Sequence, residues 1–163
     1  MSQEGWRYAE EAIWTLHQTT SRLRSVLLEF YPQALKAFPK LTHHAATTIL
    51  GAAPTPAAGS RLTRRRVEAL LRKCGRRNDP ALVDHVLTAL KAPTLRQPPA
   101  VEEALGLATR GLLEIISSMR SSVDALEAEL AREFGRHPLA PVLRSAPGLG
   151  PVLAARVLAE LGD

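Results

Sequence analysis

Apolar residues recur three and four apart along most of the chain, and no alternating run exceeds four or five residues. That periodicity predicts an all-α protein. Ala9, Ile13, Leu16, Thr20, Leu23, Leu27 and Phe30 share one face of a predicted helix over 6–30. Pro32 ends or kinks it, because its ring disfavours helical geometry at Tyr31. Residues 33–38 add one more turn or two, and Thr42 is the expected N-cap of a short helix reaching Leu50. Residues 51–60 (GAAPTPAAGS) read as a loop. Thr63 is positioned to cap a helix whose apolar stripe is Val67, Leu70, Leu71 and Cys74. After a turn at 75–80, Asp79 as N-cap and Pro80 at the first position open a helix to Leu90. Residues 92–99 hold three prolines and form a connector.

Val101 to Phe134 is the longest helical pattern. It fits a heptad with Leu105, Leu112, Met119 and Leu126 at one position and Thr109, Ile116, Val123 and Leu130 at the other. Four such heptads predict a coiled coil, made with an antiparallel helix of this chain or with another chain. Gly106 and Gly111 weaken its start by about 1 kcal/mol each, and Gly135 and Pro138 are expected to end it. The last segment reads as a helix from Leu143, a Pro147-Gly-Leu-Gly150 turn, and a second helix opened by Pro151 with Leu153, Val157, Leu158 and Leu161 on its apolar side. A Gly-x-Gly turn between two helices can bring bare backbone N–H groups against a phosphate, as in a helix-hairpin-helix. An ordinary helix pair closed by a glycine-rich turn fits the same letters.

Charge changes the picture in one place. Between Arg61 and Arg77 stand eight cations (Arg61, Arg64, Arg65, Arg66, Arg72, Lys73, Arg76, Arg77) against one acid, Glu68. That segment carries +7 in a chain of net +5, so the remainder is net −2 and the basicity is local. Arg61, Arg65, Arg72 and Arg76 fall near one side, opposite much of the apolar stripe. Such a face suits salt-dependent, sequence-tolerant phosphate contact, or is simply solvated. Helix, turn and helix over 63–90 also have a weak helix-turn-helix outline. The single cysteine, Cys74, excludes an intramolecular disulfide, fits a reducing cytoplasm, and reads as a small core residue. No signal peptide is visible and no apolar run nears the roughly 20 residues a membrane span needs, so a cytoplasmic protein is expected.

No catalytic centre and no metal site are expected in this segment. His17, His43, His44, His85 and His137 lack metal-ligand spacing, and adjacent His43 and His44 diverge on a helix. Gly148-x-Gly150 is not followed by Lys-Ser/Thr, so it is no Walker loop. Ser145 has no paired base. Glu102, Glu103, Asp124, Glu127 and Glu129 sit on the predicted coiled coil, where solvated charge is the default.

Taken in order, Thr20-Ser-Arg-Leu-Arg-Ser-Val-Leu-Leu-Glu-Phe-Tyr-Pro32, Ala53-Pro-Thr-Pro56, the arginine-rich helix, the long heptad helix and the Pro-Gly-Leu-Gly-Pro ending resemble one family. It is the insertion-sequence transposases with a DEDD-type RuvC-like domain, the group of pilin-gene-inverting and bridge-RNA-guided recombinases. The resemblance implies DNA transposition, DNA and a structured guide RNA as partners, and a homo-oligomer built through the coiled coil. It also implies acidic ligands for a divalent metal, magnesium, in the RuvC-like domain and a catalytic serine in the C-terminal domain. None of those catalytic residues has a match here. The expectation is an internal or truncated piece that binds nucleic acid and oligomerises without catalysis and without a cofactor of its own.

The expected organisation is a helical connector over 1–60, following a missing RuvC-like domain. A basic helical pair with its proline-rich connector over 61–100 comes next, then the coiled-coil helix over 101–136. The helix-hairpin-helix start of the C-terminal domain occupies 139–163. Nucleic acid is expected on the eight cations and on Gly148 and Gly150. A stand-alone helix-hairpin-helix module and a coiled-coil interaction protein are the alternatives.

Overall fold

A computed structural model of the chain describes residues 3–76 and 79–161. Among the described residues there are nine helices and no strand. They are α1 (Gln3–Phe30), α2 (Pro32–Ala37), α3 (His44–Ala52), α4 (Pro56–Ser60), α5 (Arg64–Lys73), α6 (Pro80–Leu90), α7 (Pro99–Arg136), α8 (Ala140–Arg144) and α9 (Pro151–Leu161). The all-α expectation holds. The chain divides into two compact units, one of Gln18–Ser118 and one of Met1–His17 with Met119–Asp163.

In the unit of Gln18–Ser118, α1 buries Leu23, Leu27 and Phe30. It breaks at Tyr31, where φ −139° and ψ 57° leave the helical region ahead of Pro32. Tyr31 is fully buried with its ring 6.0 Å from that of Phe30. α6 packs on α2, α4 and α5, and α3 packs on α5.

Two local readings are corrected here. The N-cap of α3 is His43, not Thr42: His43 is extended, and its carbonyl accepts the Thr47 N–H at 3.1 Å as the first helical bond. Residues 51–60 are not one loop, since α3 runs on to Ala52 and residues 56–60 form α4. Thr55 Oγ1 accepts the Ala58 N–H at 3.2 Å and Pro56 occupies the first helical position, which is how a helix starts among breakers.

Close approach fixes where α4 lies. A Cβ on Gly59 would overlap Tyr31 Oη, and one on Gly106 of α7 would overlap the Thr55 methyl. Gly106 is therefore a contact point with α4 and not merely a weak spot in α7. Glu102 is also corrected: it is 5% exposed, not solvated. Its carboxylate accepts both Arg96 Nε–H and an Arg96 Nη–H at 2.7 Å, and the Ala57 N–H at 3.2 Å. Those hydrogen bonds hold the carboxyl below the usual carboxylate range, against the opposing effect of burial. The connector 92–98, α4 and the start of α7 are tied together at that carboxylate.

α7 buries Thr109 and Ile116, then Val123 and Leu130, while Leu105, Leu112, Met119 and Leu126 are half-buried. The two heptad columns thus differ in depth. The helix passes through Gly135 and stops at Arg136 before Pro138, so Gly135 does not end it.

In the other unit, Phe134, Ala140, Ala154 and Leu158 form a small core with Leu143 and Leu149 against it. The buried side of α9 is Ala154 and Leu158, whereas Leu153 is 51% exposed and so is not part of the stripe the sequence predicts. The Leu161 side chain lies outside the described ones. Arg156 of α9 lies over the Trp6 ring at 5.3 Å and pairs with Glu10 at 3.1 Å and Glu160 at 3.0 Å.

Candidate nucleic-acid interface

α5 is built so that its two sides cannot be exchanged. Thr63 Oγ1 accepts the Arg66 N–H at 3.2 Å and caps it. Val67, Leu70 and Leu71 are buried against α3 and α6. Arg65 and Arg72, seven residues and two turns apart, lie on the opposite side and are exposed. Arg64, Arg66 and Lys73 are exposed beside them.

The cations differ in how they are held. Arg64 pairs with Asp84 of α6, and Arg76 reaches Asp79 at 3.4 Å. Arg65, Arg66, Arg72 and Lys73 make no ion pair with any described residue. Arg64, Arg65 and Arg66 fill the first turn, where no acid stands. The positive end of the helix dipole disfavours cations there by about 0.3–1 kcal/mol each. Lys73 and Arg72, in the last turn, sit where the dipole favours them.

Two of the grouped cations leave α5 altogether. Arg61 is the exposed C-cap of α4, and Arg76 follows the end of α5. Arg77 lies outside the described residues. α5 closes in a Schellman motif: the Gly75 N–H donates to Arg72 O and the Arg76 N–H to Leu71 O, each at 3.0 Å. Gly75 has φ +75°, which a side chain would strain. Asp79 Oδ1 then accepts the Leu82 N–H at 3.1 Å and opens α6 as expected. A hollow of about 400 Å³ lies between the two helices, with Arg72 and Arg76 at its edge and Glu68 and Asp79 beside them. Cys74, expected in the core, is half-buried at the C-cap, where its thiol donates to Leu70 O at 3.3 Å.

Gly148 and Gly150 belong to the other unit. Gly148 has φ +86°, so the turn needs a glycine there. Both glycines are exposed, and the Ala154 N–H donates to Gly150 O at 2.9 Å in the first turn of α9. The preceding helix, α8, is five residues long.

Two histidines contact backbone: His85 Nε2 lies 3.1 Å from Lys36 O across the fold, and His137 Nδ1 accepts the nearby Leu139 N–H at 3.2 Å. Among the described residues no three His, Cys, Asp or Glu side chains converge on one point. No helix among the described residues is long and apolar enough to cross a membrane. The cations were legible from sequence, but the Glu102 clamp was not, because a carboxylate at a helix start ordinarily signals solvated charge.

The chain is 38% identical over 162 residues to a mini-circle candidate transposase for IS117 from Streptomyces coelicolor, a match covering 96% of this chain and 39% of that protein. It is 33% identical over 147 residues to an uncharacterized 43.6 kDa protein of insertion element IS110 from the same organism, covering 90% of this chain and 36% of that one. It thus spans well under half the length of both relatives. No protein-family model matches it, and neither does any solved structure.

Proposed function

From its likeness to these insertion-element proteins, we propose that this chain is part of an insertion-sequence transposase and holds nucleic acid for transposition by gripping its phosphate backbone along α5. Arg65, Arg66, Arg72 and Lys73 are the contact groups. The observation that carries the reading is their arrangement: exposed, without ion partners among the described residues, with Arg65 and Arg72 opposite the buried stripe that fixes which way the helix faces and Arg66 and Lys73 on its flank. Three arginines in a first turn work against the helix dipole, so helix stability does not account for them. A phosphate brought to that turn would meet both the guanidinium groups and the helix N-terminus.

Backbone contact of this kind reads charge and not base sequence. DNA is the partner the family role calls for, and a structured RNA offers the same phosphate chemistry. Gly148 and Gly150 supply a second, lesser contact through the exposed turn before α9. No strand chemistry is assigned to any residue of this segment.

Self-association through α7 belongs to the same reading. Val101, Leu105, Ala108, Leu112 and Ile115 step four and three residues apart beside the buried column. Val101 is 43% and Ile115 49% exposed, with Leu105 and Leu112 half-buried between them. That apolar edge suits one further helix.

The test is charge reversal. Arg65→Glu with Arg72→Glu, both exposed, should leave the helical spectrum and melting unchanged and weaken binding to duplex DNA and to structured RNA at least tenfold at low salt. Unchanged affinity would sink the assignment.

A further inference from the structure

A second hollow, of about 370 Å³, opens between the α2–α3 segment and α6, at the small end of the range for ligand pockets. Its wall is largely apolar, and Phe38, Pro39 and Leu82 line it. Its charged lining among the described residues is of one sign: Lys40 and Arg76, joined by the imidazoles of His43 and His85, with no acid among them. His85 is held there by its contact with Lys36 O. Such a site fits a ligand with a flat apolar body and an anionic edge.

Arg76 decides between ligands of that description. It lines this hollow and also the one between α5 and α6, where Arg72 stands. A backbone lying on the α5 cations therefore leads to the mouth of the apolar hollow. We infer that this hollow seats the unstacked base of a single-stranded nucleotide, with the flanking phosphates on Arg76 and Lys40. An acidic aromatic peptide offers similar chemistry, but nothing ties it to the α5 row. Unpaired bases are the part of a strand that a protein can take into a pocket. The inference rests on the nucleic-acid reading above, and adds to it a site that distinguishes single strands from duplex.

The experiment compares two single strands of equal length, one of thymidines and one of abasic residues, titrated against the full chain at fixed salt. A seated base predicts about tenfold tighter binding of the thymidine strand. Leu82→Glu puts a carboxylate at the hollow while leaving the Asp79 cap bond to its backbone, and should erase that preference. His43→Glu, on an exposed lining residue to which no phosphate is assigned, should do the same should the first variant fold poorly. Arg72→Glu should weaken both strands alike. Equal, salt-dependent binding of the two strands would overturn this inference and leave the proposed function standing. Binding of neither strand would remove both. Displacement of the strands by a Glu/Phe peptide from the wild type but not from Leu82→Glu, without any base preference, would assign the hollow to peptides and overturn the inference.

Discussion

Tyr31 Oη is buried and has no hydrogen-bond partner among the described atoms. Burial raises its pKa well above the usual phenol value, and the nearby Glu102 charge raises it further. An unpaired buried hydroxyl costs stability, so Tyr31→Phe should be neutral or stabilising by about 1 kcal/mol in thermal unfolding. Gly59→Ala alone should destabilise by about 1–3 kcal/mol, because its methyl overlaps Oη. Combined with Tyr31→Phe it should recover a good part of that loss. Additive effects in the double mutant would show that the contact is not what makes Gly59 necessary. Glu102 supplies a pH signature. Its folded pKa lies below the unfolded reference of 4.5, so its contribution is complete above that value and disappears as pH falls through the folded one. Glu102→Gln should cost about 1–2 kcal/mol at pH 7, a discounted charged hydrogen bond because Arg96 is half exposed. The gap between variant and wild type should narrow as pH falls below the unfolded value and close through the folded one. A gap independent of pH would contradict the clamp.

The helices differ in how far the sequence discloses them. α1, α5, α6 and α7 were legible, because each buries an apolar stripe long enough to show its period, and Thr63 and Asp79 cap where cap residues belong. α4 was not, because PTPAAGS carries only breakers and small residues, and its position depends on Gly59 and Gly106 meeting residues distant in sequence. Glu102 was misread for the same reason: its partners Arg96 and Ala57 are set by the tertiary fold. The heptads of α7 disclosed an apolar seam without saying that one column is deep and the other only half covered. That half-covered edge leads to a prediction at the scale of the helix. Ile115→Glu, at a 49% exposed site, should leave folding intact and reduce self-association measured by sedimentation across a concentration series. Association unchanged by that substitution would remove α7's outer edge from the account.

At the scale of the molecule, the cations of one unit and the glycine turn of the other were both visible in the sequence as candidates. The fold places five of the eight cations on α5, four of them without an ion partner among the described residues, engages Arg64 and Arg76 in ion pairs, and leaves Arg61 at the end of α4. A chain of net +5 whose excess lies on one helix should bind polyanions through few, identifiable charges. The most direct measurement is the affinity for a labelled DNA duplex across a salt series, for the wild type and for the Arg65→Glu, Arg72→Glu pair. With about four phosphates engaged by α5, the logarithm of the binding constant should fall with that of salt by a slope of about 3 to 4, and the double reversal should remove at least half of it. A slope below about 1, or one that the reversals leave untouched, would contradict the claim that α5 is the nucleic-acid surface of this chain.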